Sequence, residues 1–121
     1  MIRVEGLAKR FGTVAAVKDV TFEARDGHVT GLLGPNGAGK TTTLRMISTL
    51  VAPDAGRVEV DGADGAREPL LARERLGLLA DARGLYARLT ARENIAYYGE
   101  LRGLSRARID EAIARLAPML E

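Results

Sequence analysis

The chain has 121 residues, 46% of them hydrophobic and 28% charged, and its 18 basic against 16 acidic side chains leave a formal charge of +2. That composition fits one globular domain rather than a disordered segment, and scattered arginines do not make the basic stripe that nucleic acid requires, so no nucleic-acid partner is expected. The absence of cysteine rules out disulfides and thiolate metal sites, and no apolar run approaches the roughly 18 residues needed to cross a bilayer, so any membrane connection is expected to run through a partner.

In chain order, Ile2 and Val4, then Val17, Val20 and Phe22, fall at strand-like spacings around the polar break at residues 9–13. This predicts two antiparallel strands followed by a turn at Asp26 and Gly27. Residues 28–33 read as a short buried strand, and residues 40–50 as a helix with Leu44, Ile47 and Leu50 on one stripe. Residues 53–56 form a turn, 57–60 a short alternating strand, 61–62 a second turn, and 68–75 a helix. Residues 76–80 are a continuous apolar run of strand length that ends at Asp81. Beyond Leu89 the pattern turns helical. Thr90 and Glu93 have capping-box spacing, Ile95, Tyr98 and Leu101 form a stripe, and Gly103 is a stop. Ser105 then caps a helix carrying Ile109, Ile113 and Leu116.

The chemistry lies in the run Gly34, Pro35, Asn36, Gly37, Ala38, Gly39, Lys40, Thr41, Thr42, at the predicted strand-to-helix junction. Glycines at 34, 37 and 39 let successive N–H groups turn inward as a concave nest for anionic oxygens. The first turn of the helix adds unpaired N–H groups and the positive end of its dipole. Lys40 is placed to reach the β- and γ-phosphates of a nucleotide, and Thr41 offers a hydroxyl to magnesium, a hard cation that keeps most of its own water. His28, a lone histidine at a strand start, reads as structural.

Taken together, these segments resemble the first half of an ATP-binding cassette domain, the motor of ABC transporters. The resemblance is carried by GPNGAGKTT, by the strand pair ahead of it and by GLYARLTARENIAYYGELRGL, the last being most similar to the drug- and sodium-exporting branch. It implies an α/β fold: a P-loop NTPase core with an N-terminal antiparallel β layer over residues 1–89, and the start of a helical subdomain over 90–121, the whole truncated. It further implies ATP and Mg2+ as ligands, Lys40 as the catalytic phosphate contact and Phe11 stacked on adenine. Asp81 stands where the family carries a glutamine that helps hold magnesium; a carboxylate there keeps a hard oxygen ligand, while a plain polar turn is the equal alternative. The partners implied are a transmembrane permease, facing the arm around residues 85–103, and a second ATP-binding domain. The location implied is cytoplasmic, peripheral at the inner face of the cell membrane.

Two other classes stay open. LGLLAD, ending in Asp81, also suits the magnesium-holding strand of a small P-loop kinase, although such kinases usually begin with the phosphate-loop strand. A non-catalytic interaction module is the other. The family's signature loop, its Asp-Glu strand end and its switch histidine do not occur in these 121 residues. The chain alone is therefore expected to bind ATP without hydrolysing it and to be marginally stable.

Overall fold

The computed structural model describes residues 1–79 and 84–119, which fall into two compact units, residues 1–78 and the part that begins at residue 79. The first unit is built on β1 (Ile2–Phe11), β2 (Val14–Ala24), β3 (Ala55–Val60) and β4 (Ala63–Asp64), in the spatial order β2-β1-β3-β4. Every pairing in this sheet is antiparallel. Helix α1 (Lys40–Ile47) contributes Met46 and Ile47 to a core with Val4, Leu7, Val17, Val58, Val60 and Ala63, and α2 (Pro69–Glu74) adds Ala72. β1 runs through the polar residues Lys9 and Arg10 to Phe11, so the predicted break contracts to a tight turn at Gly12 and Thr13.

Val4 and Leu7 are both fully buried, three residues apart on one strand, which strict alternation forbids. A bulge resolves the conflict. Gly6 takes φ +56°, and β1 shifts register against both neighbours, between Val4 and Leu7 on the β2 side and between Glu5 and Ala8 on the β3 side. The extra residue restores Leu7 to the core face. Opposite the bulge, Gly56 lies so close that an added Cβ would stand 2.3 Å from the Gly6 carbonyl oxygen and 2.4 Å from that of Glu5.

Three sequence expectations need correction here. Residues 28–33 join no ladder and form no regular element, and Val29 and Leu33 are almost wholly exposed. Residues 76–79 likewise join no strand ladder among the described residues, with Leu79 exposed; Ala80 and Asp81 lie outside them. Such apolar runs become parallel strands only between neighbours that cover both faces, and the described sheet offers antiparallel partners on its own strands alone. Instead Leu32, Leu76 and Leu78 line an open apolar groove of about 440 Å³ with Val20, Phe22 and Leu44. Finally, α1 stops at Ile47 and buries Thr43, Met46 and Ile47, because the chain turns out of the helix at Thr49 (φ +58°) before Leu50 can extend the predicted stripe.

The second unit pairs α3 (Ala91–Leu101) with α4 (Arg106–Leu116), followed by a 3-10 turn at Ala117–Met119. The predicted capping box is present: Thr90 N–H donates to Glu93 Oε2 at 2.7 Å and Glu93 N–H to Thr90 Oγ1 at 3.2 Å. Gly103 closes α3 at φ +74°, and the Ser105 side chain caps α4. The helices meet where Gly99 faces Ile109, since a Cβ on Gly99 would lie 2.8 Å from that side chain. Of the α4 stripe Ile109 and Ile113 are buried and Leu116 is exposed, while Ile95, Tyr98 and Leu101 of the α3 stripe are all exposed. The buried position of α3 is Asn94. Its amide accepts from Tyr86 N–H at 2.9 Å and donates to the carbonyls of Tyr86, Leu89 and Thr90, each at 3.1 Å, so burial is matched by full hydrogen bonding.

Two stability predictions follow from these contacts. Gly56→Ala costs about 1–2 kcal/mol for the left-handed backbone and about 1–3 kcal/mol for displacing main chain, so a loss of about 2–5 kcal/mol is expected in urea melts. Gly12→Ala, at φ +56° with open space around it, should lose only the conformational part. The Glu93 carboxyl is held below its ordinary pKa by the Thr90 N–H and then by the Thr90 hydroxyl. Its cap is therefore complete above the usual glutamate range and fades as pH falls through the lowered value. Hydrogen-exchange protection at the amides of residues 90–93, corrected for the intrinsic pH dependence of exchange, should fall on acidification in wild type and lose that dependence in Glu93→Gln.

Candidate functional site

The run predicted to hold phosphate forms the entry to α1. Gly37 (φ +83°) and Gly39 (φ +86°) take left-handed angles that side chains oppose, and Gly39 is the N-cap of the helix. A glycine at the cap brings no side chain to satisfy the first helical turn, and that turn carries no acidic residue. The first helical bond runs from Thr43 N–H to the Gly39 carbonyl at 2.8 Å, and within the loop Ala38 N–H donates to Pro35 at 3.2 Å. Among the described residues, the N–H groups of Gly37, Gly39, Lys40, Thr41 and Thr42 meet no acceptor. Five donors therefore surround one helix end, where the dipole adds positive potential.

Gly39 is also where the loop rests on the sheet. A Cβ there would lie 2.2 Å from the Ala16 carbonyl oxygen and 2.9 Å from Val17 Cγ2, so the loop and β2 approach main chain to main chain. Gly37 meets no such obstacle; its requirement is the backbone angle alone.

The Lys40 ammonium reaches back along the loop and donates to the carbonyls of Gly34 and Pro35, both at 2.7 Å. No carboxylate among the described residues pairs with it, so its charge is uncompensated at the mouth of the nest. Thr41 is exposed and Thr42 half-buried on the first turn. Amides, an ammonium and hydroxyls without a nearby acid form a donor set that fits an anion with several oxygens. Thr41 suits a magnesium ion that draws its remaining ligands from phosphate and water. Asp81, the other predicted metal residue, lies outside the described residues, and no group of three His, Asp or Glu side chains that could hold a metal occurs among those described.

Phe11 closes β1 opposite Val14, at the tip of the hairpin whose second strand carries Ala16. Its side chain is 52% exposed, and the Lys9 ammonium stands 5.6 Å from the ring centroid. Lys9 in turn pairs with Asp54 at 2.7 Å. Sequence reasoning missed Lys9, Asp54 and Ala16. Only Lys9 left a signal, being two residues before Phe11 and so on the same strand face. His28 is exposed, with Nδ1 2.9 Å from the Asp26 carbonyl in the turn after β2.

The family profile described as ABC transporter matches residues 17–120. The chain is 43% identical to the ABC transporter ATP-binding protein NatA of Bacillus subtilis over 97% of its length and 50% of that relative. It is 45% identical to the daunorubicin resistance ATP-binding protein DrrA3 of Streptomyces coeruleorubidus over 94% of its length and 37% of that relative. It thus spans half or less of the length of these curated relatives. A solved structure of an ATP-binding subunit of an ABC transporter superposes with a TM-score of 0.82 at 32% identity, over 99% of this chain and 49% of that one. A dimeric ATP-binding cassette bound to ADP and Pi, 24% identical, shares the fold with a TM-score of 0.79 over 98% of this chain and 56% of its own. The antiparallel layer and the glycine loop at the start of α1 are therefore those of an α/β P-loop NTPase fold, and the chain belongs to the ABC transporter family.

Proposed function

We propose that this chain is the nucleotide-binding N-terminal part of an ABC transporter ATPase subunit, with residues 1–89 forming the P-loop core and residues 90–121 opening a helical subdomain. Residues 34–42 and the Lys40 ammonium hold the β- and γ-phosphates of ATP, Thr41 and Asp81 hold magnesium, and Phe11 stacks on the adenine. The observation that carries this reading is the ring of unpaired N–H groups at Gly37, Gly39, Lys40, Thr41 and Thr42 beside an ammonium with no carboxylate partner among the described residues. When bound, magnesium neutralises part of the triphosphate charge. Lys40 supplies a charge-assisted hydrogen bond, and Phe11 supplies a π-face. Family membership favours this reading over a small kinase.

Several features support the rest of the assignment. Relatives named for resistance to daunorubicin and linearmycin favour drug export as the work that the complete subunit powers. The apolar groove lined by Val20, Phe22, Leu32, Leu44 and Leu78 offers a seat for sheet strands from the other half of a domain twice this length. In the second unit, exposed Leu85, Tyr86, Ile95 and Tyr98 suit a membrane-embedded permease, and a second ATP-binding domain completes the assembly at the inner face of the membrane. No helix among the described residues is long and apolar enough to cross a bilayer itself. The chain alone is expected to bind ATP without turning it over, since phosphate contacts by themselves leave the attacking water unplaced.

Calorimetry with ATP and magnesium tests the assignment. Lys40→Ala is expected to weaken binding about a hundredfold, the scale of losing a hydrogen-bonded charge pair. Gly39→Ala, which drives a Cβ into the Ala16 carbonyl, should do at least as much harm, and Gly37→Ala less. Undiminished affinity in Lys40→Ala would instead favour a non-catalytic interaction module.

A further inference from the structure

The paired ladder between β1 and β3 ends at Ala8 and Ala55. One residue earlier on the β3 side, Asp54 continues it by other means. Its N–H donates to the Ala8 carbonyl at 2.9 Å, one carboxylate oxygen accepts from Arg10 N–H at 2.7 Å, and the other accepts from Lys9 Nζ at 2.7 Å. A free lysine side chain explores many rotamers and loses that freedom only when something holds its head group. Here the head group is held, the Lys9 side chain is only 16% exposed, and the ammonium stands over the Phe11 ring. The Lys9 hydrogen bond and then the Arg10 N–H keep the Asp54 carboxyl below its ordinary pKa, so it is ionised at neutral pH.

We propose that Asp54 and Lys9 are positioning and specificity residues for the nucleotide base: the carboxylate clamps the ammonium to one face of Phe11, leaving the other face as a cation-backed platform that prefers electron-rich purines to pyrimidines. This rests on the reading of Phe11 as the base platform. A cation draws the π-cloud of the ring toward itself, so the free face stacks best on a base rich in electrons. The ring is reachable, with about half its side chain exposed. The hairpin that carries it also rests on Gly39 through Ala16, so base platform and phosphate nest belong to one unit.

The test compares magnesium complexes of ATP, CTP and inorganic tripolyphosphate by calorimetry on the full chain. Wild type is expected to prefer ATP to CTP, and Phe11→Ala to cut that preference about tenfold. Lys9→Met and Asp54→Asn should each cut it about two- to fivefold with tripolyphosphate affinity unchanged, and Lys9→Arg should retain it. Asparagine still accepts the Arg10 N–H, so the turn keeps its bond, and unchanged tripolyphosphate binding certifies an intact loop in each variant. If Phe11→Ala loses the preference while Lys9→Met and Asp54→Asn keep it, the clamp is overturned and the base-platform reading survives. Equal weakening of all three ligands in these two variants also overturns the clamp, leaving only a structural role. A preference untouched by Phe11→Ala overturns the platform and the clamp together, as does a wild type that releases heat with none of the three.

Discussion

The phosphate loop keeps its shape because two stretches of main chain touch. Gly39 sits against the carbonyl of Ala16 with no room for even a methyl group between them, and the same glycine caps the helix that follows. A polar capping side chain at this position would have given the first helical turn an acceptor, and any side chain would have forced the loop away from that carbonyl. Glycine does neither. The result is a helix start held rigidly against β2 with its amides unspent, an arrangement that favours anions without a cluster of basic residues.

That constraint reaches back through the sheet. β2 holds its place because β1 pairs with it along nearly its whole length, and β1 reaches the core only by way of the Gly6 bulge that Gly56 accommodates. The core residues Val4 and Leu7, the hairpin that ends in Phe11 and the seat of the loop are thus successive links on one ladder. Charge is distributed to match. Lys9 is paired with Asp54 and Arg57 with Glu5, while the Lys40 ammonium is left facing carbonyl oxygens alone.

Legibility followed the range of the interaction. Local chemistry was readable: the glycine spacing at 34, 37 and 39, the Thr90 and Glu93 box, the stop at Gly103 and the turn at Asp61 and Gly62 each depend on residues within a few positions of one another. Pairing was readable only within the first hairpin, where the two antiparallel strands were expected and are present. Residues 28–33 and 76–79 carry the apolar composition of buried strands, yet composition cannot supply the neighbours that would make them so. The β1 bulge was hidden because two left-handed glycines fifty residues apart produce it jointly. Asn94 was missed for a related reason: a polar residue on an apolar-looking helix reads as solvent-facing until its four partners at residues 86–90 are seen. Asp54 looked like an ordinary turn residue, since nothing nearby in sequence reveals that its carboxylate meets Lys9 and Arg10.

Asn94 has one more effect. By bonding to three carbonyls and one amide of the preceding loop, it fuses that loop to the first turn of α3, and the rings of Tyr86, Tyr97 and Tyr98, 5.1 to 6.4 Å apart, sit on the fused piece. The three rings are therefore carried by one hydrogen-bonded piece of loop and helix instead of by slack chain.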